Sequence, residues 1–106
     1  MNVEYTGRQT VITAKLKAQA EVGLMAVATI VGKCTGAHII LTEEKYRKIA
    51  DITVMCAGDK LVATCEATEM STALHDALQK VEQQAIKRKK RVDTVRDHPK
   101  VLLREA

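Results

Sequence analysis

The chain has 106 residues, enough for one domain with a single core and too few for two. Hydrophobic residues make up 46% and charged residues 28%, a globular composition, but the only aromatic residues are Tyr5 and Tyr46. Modules that stack nucleic-acid bases on several aromatic rings are thereby excluded. The net charge of +4 hides an asymmetry: residues 1–79 carry 8 Lys/Arg against 9 Asp/Glu, and residues 80–106 carry 9 against 4. The excess sits in the last quarter of the chain, which suits a phosphate-bearing partner.

Alternation over Asn2 to Thr6 predicts a first strand ended by Gly7. Thr13 is placed to cap a helix whose apolar stripe is Leu16, Ala20, Leu24, Val27 and Val31 and which ends before Gly32. Strands follow at His38 to Leu41 and Arg47 to Cys56, separated by the polar Thr42 to Lys45 and forming a hairpin. After a turn at Ala57 to Lys60, a fourth strand runs from Leu61 to Glu66. A long helix starts near Thr68 with Ala73, Leu74, Ala77, Leu78, Val81 and Ala85 as its buried stripe. The order is β-α-β-β-β-α, which predicts an α+β two-layer sandwich with two helices on one face of a four-stranded sheet. This domain occupies residues 1–92, and residues 93–106 read as a polar, flexible tail.

No catalytic constellation is offered. His38, His75 and His98 are scattered over a strand, a helix and the tail, without a Ser/His/Asp order or a glycine-rich phosphate loop. They read as structural or surface residues. Cys34, Cys56 and Cys65 show no close pair and no zinc spacing, so neither a disulfide framework nor a metal is indicated and a reducing cytoplasm fits. They read as small core residues, with Cys34, in a loop beside Lys33, the one candidate for reactivity. The most apolar run, Val22 to Val31, is too short to span a bilayer, and the N-terminus lacks an export pattern. The expectation is a non-enzyme that needs no cofactor, metal, small-molecule substrate or membrane.

The basic helix end carries the functional signal. Five of the six residues from Ile86 to Arg91 are basic, more than complementing a helix dipole requires. Lys80, Lys87, Lys90 and Arg91 recur along one side of the helix, where they can face a polyanion while the apolar stripe packs on the sheet. Without stacking aromatics, such a surface reads backbone and shape, which favours structured RNA.

Thr6, Gly7 and Arg8 after the first strand, Val11, Ile12 and Thr13 opening the helix, and Ala37 to Leu41 stand in a characteristic order. With Ala63 to Glu66, then Glu69, Met70 and Ala73 ahead of Leu78, Lys80, Val81 and Glu82, the chain resembles the ribosome hibernation promoting factor and ribosome-associated inhibitor family from residue 2 to about 91. The resemblance implies the same β-α-β-β-β-α fold. It implies a cytoplasmic protein that binds the small ribosomal subunit in the channel of tRNA and mRNA and silences ribosomes under starvation or in stationary phase. By position, Arg8, Lys80, Lys87, Arg88 and Lys90 match the family's rRNA-facing residues, and Arg91 joins them from the helix reading. Two departures stand out: Gln83 replaces a usual basic residue, and Gly23 to Ile30 replace a mixed, often basic half-helix. The chain resembles the short form, without the dimerisation domain of longer members.

That apolar half-helix supports an alternative, a protein-interaction module that uses Met25, Ala26 and Ile30, including weak self-association through Met25 and Ile30. Its alanine content favours the other outcome, cover by the C-terminal helix.

Overall fold

The computed structural model describes residues 2–56 and 59–97, with the side chains from Lys90 onward outside the described set. Its elements are β1 (Asn2–Arg8), α1 (Ala14–Val31), β2 (Cys34–Glu43), β3 (Lys48–Cys56), β4 (Asp59–Ala67) and α2 (Met70–Asp97). The expected order and fold class are those observed. The sheet order is β1-β2-β3-β4, with β1 parallel to β2 and the remaining pairs antiparallel.

The strands outrun their apolar patterns. β1 continues through Gly7 to Arg8 because the parallel ladder pairs Gly7 with Leu41 and Arg8 with Thr42. β2 reaches from Cys34 to Glu43, beyond His38 to Leu41, because its polar ends have partners: Glu43 lies opposite Lys48 and forms an ion pair with it at 3.7 Å. The hairpin turn is therefore tighter than expected, closed by the Glu44 amide donating to the Arg47 carbonyl at 2.9 Å. Part of the expected turn belongs to β4, which starts at Asp59; Ala57 and Gly58 lie outside the described residues. α2 continues to Asp97, past the boundary at residue 92, and residues 98–106, with His98, lie outside the described residues.

The helix ends follow ordinary capping chemistry. The Thr13 hydroxyl accepts from the Leu16 amide at 3.2 Å, and Gly32, with φ of 90°, closes α1 by donating its amide to the Ala28 carbonyl at 2.7 Å. Ala20, Leu24 and Val27 of α1 are buried, with Leu16 and Val31 half-buried against the same core. Every residue of the α2 stripe is buried, facing Ile39, Leu41, Ile52 and Val54 of the central strands.

The two helices lie side by side, and Gly23 sets their approach. A Cβ added there would lie 2.7 Å from Leu78 Cδ1 and 3.0 Å from Leu78 Cγ, with Leu78 itself buried. The unpartnered part of α1 is smaller than the sequence suggests. Ile30 is half-buried against the core and Ala26 half-buried in the groove beside α2, but Met25 is 70% and Val22 71% exposed. The expected cover by the C-terminal helix fails for Met25, which lies on the side of α1 away from both sheet and α2.

Two stability outcomes follow. Gly23→Val should destabilise the fold by about 1–3 kcal/mol through overpacking against Leu78, read as a lower urea midpoint. Met25→Lys should change stability by no more than about 0.5 kcal/mol. Ile30→Lys should cost roughly 1–2 kcal/mol of lost burial, since its half-buried site lets the ammonium reach water. Equal losses from these two lysine substitutions would contradict the packing described.

Candidate nucleic-acid interface

α2 leaves the β4 end Ala67 and runs back over the sheet toward Asp59, so its basic half emerges at the end of the sheet where β4 begins. Two polar contacts hold it there. The Gln84 side chain pairs with both backbone groups of Val62, accepting from its amide at 3.2 Å and donating to its carbonyl at 2.8 Å. This closes the outer edge of β4 much as another strand would. One turn on, Arg88 Nε lies 3.3 Å from an Asp59 carboxylate oxygen. Ala85 is the last buried residue of α2 among those described. The helix backbone continues from Lys87 to Asp97 for about 16 Å.

The predicted site residues occupy different places. Lys80 and Lys87 are exposed, on nearly the same side of α2 and about 10 Å apart along its axis. Neither they nor Lys89, also exposed, forms an ion pair among the described residues. Arg88 points to the sheet side and is engaged by Asp59. Lys90 and Arg91 are helical positions of α2 whose side chains lie outside the described residues. Arg8 is exposed but stands at the far corner: β1 is the opposite edge strand, and Arg8 is level with Thr42, at the other end of the sheet from Asp59. Strand spacing and rise put it roughly 25 Å from Arg88. The structure therefore gathers the α2 cations and leaves Arg8 apart.

Lys33, just before β2, and Lys60, opposite Met55 at the start of β4, are exposed at the same end of the sheet as Lys87 and Arg88. Only the strand register relates them to the helix, so no local pattern in the sequence could single them out. Elsewhere acid and base compensate locally: Arg47 engages both Glu44 and Glu66, and Lys48 engages Glu43. The net positive field is left to the helix.

The other candidate groups are engaged structurally. His38 Nε2 lies 2.8 Å from the Thr6 hydroxyl across β1 and β2, and His75 is exposed on α2. Cys34 is not in a loop. It opens β2 directly opposite Cys56, with the two Sγ atoms 3.7 Å apart, while Cys56 and Cys65 are buried as expected. Among the described residues no group of three His, Cys, Asp or Glu could hold a metal ion, and no helix is long and apolar enough to cross a membrane.

Residues 3–93 match the family model described as Sigma 54 modulation protein / S30EA ribosomal protein. Among solved structures, the fold is similar to a ribosomal subunit interface protein from Coxiella burnetii, with a TM-score of 0.77 and 27% identity over 85% of this chain and 99% of that one. It is also similar to the N-terminal domain of Protein Y from Thermus thermophilus, with a TM-score of 0.76 and 22% identity over 82% of this chain and 98% of that one. No curated protein matches the chain.

Proposed function

The chain belongs to the Sigma 54 modulation protein / S30EA ribosomal protein family, and from that membership we propose that it is a ribosome-binding translation inhibitor. In this reading it acts in the cytoplasm, lies against small-subunit rRNA, occupies the channel of tRNA and mRNA, and promotes ribosome hibernation under stress or in stationary phase. It works by occupancy, without catalysis or cofactor.

The observation that carries this reading is the set of exposed cations on α2 that form no ion pair among the described residues, namely Lys80, Lys87 and Lys89. Phosphates spaced along a folded RNA backbone are the natural counter-charge, because ammonium groups at fixed positions release condensed counterions without reading bases. The family match and the likeness to a ribosomal subunit interface protein support the identity of that RNA. Lys90 and Arg91 extend the same surface in this reading. Arg8 contributes only if the RNA also reaches the opposite corner of the sheet.

A second reading, protein docking on α1, rests on the exposed Val22 and Met25. Sedimentation of a lysate through a sucrose gradient separates the two: co-migration with ribosomal particles favours the first, and a small discrete complex the second.

The electrostatic mechanism has a quantitative signature. Binding to purified small subunits should weaken steeply with salt, with each neutralised phosphate adding roughly 0.9 to the slope of log K against log salt, taking the duplex value as a guide. The double substitution Lys80→Glu and Lys87→Glu should weaken binding at least tenfold, reduce that slope by about two, and leave the urea midpoint unchanged because both side chains are exposed. A flat salt response, or full binding by the double variant, would remove the basis for the proposal.

A further inference from the structure

Two thiols far apart in sequence meet at the end of the sheet from which the basic helix emerges. Cys34 is the first residue of β2 and Cys56 the last of β3; they are direct partners in the antiparallel register, with Sγ atoms 3.7 Å apart, and both are free. Directly opposed residues in such a ladder have Cβ atoms about 4.5–5.5 Å apart, just beyond the roughly 3.5–4.5 Å that a disulfide spans. The small approach still needed falls where the ladder yields most easily. The register shifts between Cys34 and Gly36, the preceding connection turns through Gly32 with φ of 90°, and both cysteines are terminal residues of their strands.

We propose that Cys34 and Cys56 form a dithiol modification site that closes reversibly to an intramolecular disulfide by exchange with a low-molecular-weight disulfide. Cys34, half-buried between the exposed Lys33 and Thr35, meets the reagent; Cys56, 6% exposed, resolves the product. In the first step the Cys34 thiolate attacks one sulfur of the reagent, whose S–S bond breaks, leaving a mixed disulfide on Cys34 and one reagent thiolate. In the second step Cys56 yields its proton to that thiolate and its sulfur attacks Cys34 Sγ, expelling the second reagent thiolate, which takes up the proton first lost by Cys34. Two protein thiols are oxidised by two electrons, and one disulfide is reduced to two thiols.

The surroundings order these steps. Burial first, then the hydrogen bond and charge of Cys34, hold the Cys56 thiol pushed up to about 11, so Cys56 does not compete as the first nucleophile. Capping Cys34 in the mixed disulfide removes the part that Cys34 causes, which favours resolution. Cys65 is held apart in the core of β4, paired with Ala50. Closure ties the α1–β2 connection to the end of β3, just ahead of Asp59, the partner of Arg88.

The test uses the full chain, reduced and then incubated with oxidised glutathione, followed by alkylation, intact mass and peptide mapping. The wild-type protein should lose two hydrogens and yield a Cys34–Cys56 linked peptide, with Cys65 alkylated on denaturation and the linkage reversed by dithiothreitol. Cys56→Ser should stop at a glutathione adduct on Cys34, and Cys34→Ser should react with neither outcome in the same time. The wild-type result decides the matter without reliance on the variants. A stable adduct on wild-type Cys34, a linkage to Cys65, a disulfide between two chains, or no reaction would each overturn the proposal. None of these outcomes depends on what the protein binds.

Discussion

The seat of α2 on β3 and β4 is the constraint on which the rest of the molecule depends. A core without Phe or Trp has to be filled by aliphatic side chains and close backbone approach, and α2 supplies both. Ala73, Ala77 and Ala85 let it settle low on the strands while Leu74, Leu78 and Val81 fill the space between. Successive turns then fix its position in three ways: Leu78 fits against Gly23, Gln84 closes the edge of β4 at Val62, and Arg88 meets Asp59. Because the helix cannot slide, the point at which it leaves the sheet is fixed, and so is the place where its lysines stand.

The distribution of ion pairs sharpens that display. Arg47 offsets part of the charge of Glu44 and Glu66 at the hairpin end, and Lys48 offsets that of Glu43. Exposed pairs of this kind add little stability, but they weaken the field locally. Arg88, like these pairs, is engaged by a carboxylate. Its contact with Asp59 positions the helix, and an RNA phosphate would have to displace that carboxylate to use it. Lys80, Lys87 and Lys89 have no such tie among the described residues.

The sequence made the helices and the order of elements legible because both helices carry complete 3.6-residue stripes and one a capping threonine. Strand lengths were not legible, since the polar ends of β2 and the Gly7–Arg8 end of β1 are held by partners on neighbouring strands, which apolar alternation does not encode. The extension of α2 to Asp97 was missed for a related reason: beyond Ala85 the sequence offers no clear apolar period, and none of the described residues there is buried. The site divides in the same way. Lys80 and Lys87 could be read from helical spacing, but the tether of Arg88, the isolation of Arg8 and the meeting of Cys34 with Cys56 arise from long-range register. Met25 shows the limit of composition, since alanine-rich neighbours do bring α2 close, yet to the Gly23 and Ala26 side of α1 and not to Met25.

The apolar second half of α1 shapes how this family member can meet a polyanion. With no cation between Val22 and Val31, the layer beside α2 offers apolar surface where the resembled family has mixed and often basic residues. In the proposed reading, charge recognition then rests chiefly on α2 and on whatever Lys33 and Lys60 add from the same end of the sheet. Ammonium groups on a helix discriminate poorly among phosphates by chemistry, since each lysine is a point charge without the fork of an arginine. They discriminate by geometry, because the helix projects from a wide, flat body that must also be accommodated. In the proposed ribosomal setting, the helix provides attraction and the sheet provides exclusion, so specificity follows from which cleft admits both at once and not from any single contact.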